Sequence, residues 1–285
     1  MTLDALPPIP FTPWMNACAR GKIDQLELMA EGRPWPDLQA SIPGTTSLIL
    51  AAGNGHLDIC KRLVAHKPLL EAKNDAGQTA LFCAVEDDHQ DVAQVLLEAG
   101  ADPLVKDHSG RSLIMLAAAN GNPHMASMIY KYGKHDLNGL TNNGLSCIAA
   151  AMDKGSNTMV HWLLDRGADP DIKDGETKLT PLWKAAYEDN AGVAQALLVA
   201  GAKPNRRDTQ GHCYLHVAIE QKNDRVIHVL LDGGADPYKP DRNGITPLEY
   251  AKDWPRFVEL VAEGEQRKLN ASTPAVATRR KTARL

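Results

Sequence analysis

The chain has no apolar run long enough to cross a bilayer. Its first residues, MTLDALPPIPFTPW, lack the basic start and apolar stretch of a signal peptide. These absences predict a cytoplasmic protein without a membrane span. Aromatic residues are scarce, at 5 %. Cysteine is also scarce: Cys18, Cys60, Cys83, Cys147 and Cys213 are odd in number, and no two stand in CxxC spacing. That argues against both a disulfide framework and a zinc site. The sequence contains no GxSxG, no phosphate-cradling glycine loop and no HExxH. No excess of positive charge is present either; the net charge is −4, which gives no footing for nucleic-acid binding by the whole chain. Hydrophobic residues still reach 44 % and charged residues 23 %, so the chain can bury a core.

What is present is repetition. GADPLVKDHSGRSLIMLAA (100–118) returns as GADPYKPDRNGITPLEYAK (234–252). Anchors that open an apolar helical pattern stand at Thr12, Thr46, Thr79, Ser112, Ser146, Thr180, Cys213 and Thr246. Their spacings are 34, 33, 33, 34, 34, 33 and 33. A fixed period of this length marks stacked supersecondary units.

Each unit carries the same physical instructions. Thr or Ser accepts a hydrogen bond from the free N–H groups of a first helical turn. Pro at the next position suits that turn and has no N–H to strand. Small pairs such as Ala117-Ala118 and Ala185-Ala186 let helices approach closely. A turn follows, often with glycine: Gly21, Gly55, Gly121, Gly155. A second helix has a heavy apolar face, as in VAQVLLEAG and MVHWLLDRG. Gly100, Gly167, Gly201 and Gly234 stand where that helix must stop. Polar links such as DHSGR, DTQGH and DRNGI connect to the next unit.

The TPL, AA, G, VLL and GADP elements resemble the ankyrin repeat, over roughly residues 10–263. The resemblance implies an all-α solenoid of helix-turn-helix units with β-turn or hairpin fingers. About eight repeats start near 7, 41, 74, 107, 141, 175, 208 and 241. Five features depart from the pattern. They are SCIA in the fifth repeat, CYLH in the seventh, the Pro-rich link EGRPWPDLQASIPG with Trp35, the ending HKPLLEAKND of the second repeat, and KDGETKL before the sixth. Pro255 predicts a short last helix, about 255–263. Residues 1–9 read as an N-terminal extension and 264–285 as a basic, disordered tail. Six basic residues against Glu265 give that tail +5, leaving −9 for the body.

Stacked repeats touch only their neighbours and offer a long surface without one deep pocket. That shape suits a protein partner. The resemblance implies the same, through the finger tips and the inner helices. The register places Arg20, Asn54, Glu86, Asp87, Asn120, Asp153, Lys154, Tyr187, Glu188, Glu220 and Gln221 on the inner-helix ends. On the fingers it places Lys73, Asp75, Gln78, Lys106, His108, Arg111, Asn142, Glu176, Arg207, His212, Arg242 and Asn243. The floor reads as acidic and several finger tips as basic. His56, His89 and His216 read as hydrogen-bonding turn or helix residues, and the cysteines as buried packing. The resulting expectation is a non-enzymatic binding module without cofactor, metal or catalytic residues. It would be a monomer that takes a protein partner with a basic patch, as adaptor, scaffold or inhibitor. The alternative is a bacterial effector, exported by a non-classical route, or an immunity protein that neutralises a toxin enzyme.

Overall fold

The computed structural model describes residues 11–32, 35, 45–66, 68–175 and 177–272. Among the described residues there are sixteen helices, no strand, and two isolated antiparallel bridges, Lys106 with Ser112 and Arg207 with Cys213. The chain divides into two compact units, Met1–Glu176 and Thr177–Leu285.

The first unit holds five helix pairs: α1 Phe11–Ala19 and α2 Ile23–Ala30, α3 Ser47–Gly53 and α4 Leu57–Val64, α5 Ala80–Glu86 and α6 Gln90–Glu98, α7 Leu113–Asn120 and α8 Pro123–Tyr130, α9 Cys147–Asp153 and α10 Asn157–Asp165. The odd-numbered, inner helices pack in series, and so do α4, α6, α8 and α10. The second unit holds α11 Pro181–Tyr187 and α12 Ala191–Val199, α13 Tyr214–Glu220 and α14 Asp224–Asp232, α15 Pro247–Tyr250 and α16 Pro255–Ser272. Here α11, α13 and α15 form one row, and α12, α14 and α16 the other. This is the all-α, solenoid-type stacking that the repeat period implies.

The anchors act as caps. The side chains of Thr46, Thr79, Ser112, Ser146, Thr180 and Thr246 each accept from the backbone N–H three residues on. Thr246 adds a full capping box with Glu249. Cys213 keeps the capping position but not the bond. Thr12 differs as well, because α1 already begins at Phe11.

Between the paired helices the backbone must turn left-handed. Gly21, Gly55, Gly121 and Gly155 do so with φ between 68° and 74°. At the same register the other repeats force Asp88, Asp189 and Lys222 to φ of 56–59°. The stop of the outer helix is relieved in the same way, at Gly100, Gly167, Gly201 and Gly234.

The inner helices meet through side chains with little bulk: Ala51, Ala84, Ala117, Ala151, Ala185 and Ala218 are all fully buried. Such small groups permit the close approach that a helix of seven residues needs to be stable by packing alone. The five cysteines are free and buried within this packing. Trp35, in the Pro-rich link, is also core. It is 2 % exposed, edge-on to Trp14 at 5.5 Å, and covered by the Arg62 guanidinium at 5.7 Å.

The last helix corrects the sequence expectation. It is eighteen residues long and runs on to Ser272, rather than stopping near 263. Phe257, Leu260, Val261 and Gly264 form its buried stripe against α14. Arg267 reaches back to Asp232 at 2.9 Å and to His228 Nδ1 at 2.9 Å. Residues 264–272 are therefore part of the helical repeat body. The rest of the expected tail, and the expected N-terminal extension, lie outside the described residues.

The link KDGETKL also finds its explanation. It spans one residue more than the other fingers between its leading Asp174 and the cap Thr180. Lys178, two residues before the cap, takes a left-handed φ of 57°, where Gly77, Gly110, Gly144, Gly211 and Gly244 take φ of 79–97° elsewhere.

Candidate protein-binding face

The fingers that begin at Asn74, Asp107, Asp208 and Asp241 are each folded by that first residue. Asp107 Oδ1 accepts from the N–H groups of Ser109 and Arg111, both at 2.9 Å. Asn74, Asp208 and Asp241 repeat this with their own successors. Such Asx turns need only a short acceptor side chain, which is why Asp and Asn alternate freely here. In Asp241 burial works to raise the carboxyl's pKa, but the N–H groups of Ile245 and Asn243, with His216 and His212 nearby, hold it below the usual carboxylate value.

Successive fingers of the first unit are stitched together. The His108 N–H donates to Ala76 O, Asn142 N–H to Ser109 O, and Gly175 N–H to Gly144 O, each at 2.8–2.9 Å. The histidines at the turns do the same work below. His56 Nε2 lies 3.0 Å from Ala19 O and His89 Nε2 lies 3.1 Å from Gly53 O. His216 Nε2 contacts Ile245 O at 3.1 Å.

The expected contact residues fall into two groups. Arg20, Asn54, Asp87, Asp153, Lys154, Tyr187, Glu188, Glu220 and Gln221 are exposed at or just beyond inner-helix ends, as the register predicts. Lys73, Asp75, Lys106, His108, Arg207, Arg242 and Asn243 are exposed on fingers. Glu176 lies outside the described residues.

Several residues read as open to a partner are already engaged within the chain. Arg111 is half-buried; its Nη1 lies 2.7 Å from Glu86 Oε1 and its Nε 2.7 Å from Asp107 Oδ2, above the Phe82 ring at 5.5 Å. Burial works against its charge, and the bonds to Asp107 and Glu86 outweigh that, raising its pKa. Gln78 Nε2 donates to the other oxygen of Glu86 at 2.8 Å. The Asn120 amide donates to Val85 O and Glu86 O, both at 3.0 Å. Asn142 Nδ2 donates to His108 O at 2.8 Å, and Arg207 Nη2 to Pro240 O. His212 lies against Asp208 at 3.7 Å. The acidic floor is thus partly neutralised: Glu86 by Arg111, and Glu188 by Lys184 at 3.7 Å.

Sequence reasoning did not single out Trp183. It stacks on Tyr187 with ring centroids 5.3 Å apart and planes 9° from parallel, and its Nε1 donates to Asp208 Oδ2 at 3.2 Å. The signal was available as an i, i+4 aromatic pair on one helix face. Among the described residues no helix is long and apolar enough to cross a membrane, and no group of three His, Cys, Asp or Glu could hold a metal ion.

Known proteins share this arrangement. Segments 14–107, 100–174, 149–241 and 182–266 match the family model described as ankyrin repeats (3 copies). The B-cell lymphoma 3 protein homolog of Mus musculus is 27% identical over 238 residues, covering 81% of this chain and 53% of that protein. The chain spans about half, or less, of the length of the curated relatives it matches. Among solved structures, the ankyrin repeat domain of Bcl-3 matches with a TM-score of 0.69 at 28% identity, covering 77% of this chain and 99% of that one. A chain from the complex of the Bd0816 predatory endopeptidase of Bdellovibrio bacteriovorus with immunity protein Bd3460 matches with a TM-score of 0.58 at 32% identity, covering 65% of this chain and 96% of that one. Capped inner helices, left-handed turns, Asx-folded fingers and these matches converge: the chain belongs to the ankyrin-repeat family, whose architecture is that of a protein–protein interaction module.

Proposed function

We propose that the chain is a non-enzymatic binding protein, an adaptor, scaffold or inhibitor, that takes a protein partner on its inner-helix ends and finger tips. The observation that carries this reading is the exposure of Asp87 and Asp153 in the first unit, and of Tyr187, Glu188 and Glu220 in the second, at equivalent places of the repeat. Tyr187 is 52 % exposed where solubility alone calls for a polar side chain. The acidic members favour a partner with a basic patch.

The test is affinity capture on the full chain, with Asp87→Lys and Glu220→Lys as variants. Neither carboxylate is paired with Arg111, so the reversals spare the internal network. Loss of about tenfold in affinity at low salt, shrinking at high salt, is the expected result. Binding unchanged by both reversals would move the contact off this face.

A second reading is favoured by one finding, the 96% coverage of a chain from a complex that contains an immunity protein. In it the chain neutralises a toxin enzyme, and co-expression with that enzyme should abolish its activity. Delivery as an effector makes a different demand: translocation would depend on residues 264–285.

A further inference from the structure

The two units handle one position of the repeat in opposite ways. In the first unit, Phe82 and Glu86 stand four residues apart on α5, and Arg111 from the following finger fills the space they define. Its guanidinium lies 5.5 Å from the Phe82 ring centroid and 2.7 Å from Glu86. In the second unit the same register positions on α11 are Trp183 and Tyr187. The residue that corresponds to Arg111 there is His212, which turns instead to Asp208 at 3.7 Å and to the His216 ring at 6.1 Å. The aromatic seat has been enlarged and its arginine removed.

What surrounds the seat suits a guanidinium. Trp183 covers one face of Tyr187, in parallel stacking at 5.3 Å, and Tyr187 remains 52 % exposed. Glu220 is the counterpart of Tyr187 one repeat on, at the end of α13, which packs directly against α11. Neighbouring helices lie about 8–10 Å apart, a gap that a glutamate side chain and a guanidinium laid across a ring close between them. Glu220 is exposed and has no ion pair among the described residues. Glu188 adds a second carboxylate, with Lys184 at 3.7 Å from its Oε1. Elsewhere the chain lays its own arginines over indole rings of its core: Arg166 lies 4.1 Å from the Trp162 ring and Arg62 lies 5.7 Å from Trp35.

We propose that Tyr187, Glu188 and Glu220 form a docking site for an arginine side chain of the protein partner. The partner's guanidinium stacks on the open face of Tyr187 and pairs with Glu220, as Arg111 does internally with Phe82 and Glu86. Arginine is selected over lysine because a planar, delocalised cation stacks and forks where an ammonium cannot. The proposal rests on the reading of the chain as a protein-binding module and names the chemistry that its second unit recognises.

The experiment titrates the full chain with hexa-arginine and with hexa-lysine at low salt, by calorimetry. Hexa-arginine should bind about tenfold more tightly than hexa-lysine. Tyr187→Ala should bring the two peptides to within about twofold, whereas Tyr187→Phe keeps the preference. Glu220→Gln should weaken both peptides, and Tyr238→Ala, an exposed tyrosine elsewhere in the unit, should change neither. Equal binding of the two peptides by the native chain overturns the site, as does a preference that survives Tyr187→Ala. If lysate capture yields a partner while the peptide preference is absent, only the arginine site falls. If the preference is present and no protein is captured, the binding-module reading falls instead.

Discussion

Arg111 joins two repeats through one side chain: its guanidinium donates to Glu86 of the preceding inner helix and to Asp107 of its own finger, each at 2.7 Å. Glu86 in turn accepts from Gln78 Nε2 at 2.8 Å, so the third repeat's finger, helix and the next finger share one network. Removing the cation leaves the buried Asp107 carboxylate and the half-buried Glu86 carboxylate without their shared partner. Arg111→Ala should lower stability by about 1–2 kcal/mol in urea unfolding, and Arg111→Lys should recover only part of it. A loss below the error of the method would show that the network is surface decoration.

Backbone strain at Lys178 and Lys222 gives a prediction of opposite sign. Both hold φ of 56–57° without the freedom of glycine, at positions where other repeats use it. Relief of the left-handed penalty exceeds the entropy that glycine adds to the unfolded chain. Lys222→Gly and Lys178→Gly should each raise stability by about 0.5 kcal/mol. Gly121→Ala, at φ 69°, should lower it, because its new Cβ would also meet the Ser156 Cβ at 2.9 Å. Thermal melts of the three variants decide the matter.

His216 makes stability depend on pH. Burial pushes its pKa down, against the bond to Ile245 and the nearby Asp241, and its Nδ1 has no partner among the described residues. A base with a depressed pKa in the folded state takes up its proton more readily when unfolded. Its contribution is therefore complete above the ordinary imidazole value of about 6.5 and is lost as pH falls below it. Between pH 7 and pH 5 the native chain should lose more stability than His216→Gln. Parallel pH dependences in the two proteins would remove His216 from the account.

The cysteines should be chemically silent while the chain is folded. Burial, together with neighbouring groups, pushes the thiols of Cys60, Cys83 and Cys147 up to about 12. Reaction needs the thiolate and access to it. A thiol reagent at pH 8 should label Cys60, Cys83 and Cys147 only as fast as the repeats open, and quickly in urea. Rapid labelling of Cys60 or Cys147 in the native protein would contradict the packing described here.

The period, the caps and the turns were legible in the sequence because each is a local matter. A Thr at 79 or 180 needs only the N–H three residues on, and the glycine at 55 or 155 only its own φ. Tyr187, Glu188 and Glu220 could be placed on exposed helix ends for the same reason, since repeat register alone sets their position. Other features depend on partners about 20–35 residues away. Glu86 reads as an open acid until Arg111 is brought over it, and Asn120 as an exposed amide until Val85 O and Glu86 O come within 3.0 Å. Trp35 belongs to the core only because Trp14 and Arg62 close around it. The last helix passes residue 263 because Phe257, Leu260, Val261 and Gly264 find α14, and Arg267 finds Asp232. By itself the sequence determined the repeated unit and its register, which follow from short-range hydrogen bonds and backbone sterics. Only the tertiary structure decided which charges are spent inside the fold and which remain for a partner, because that depends on which repeats are stacked face to face.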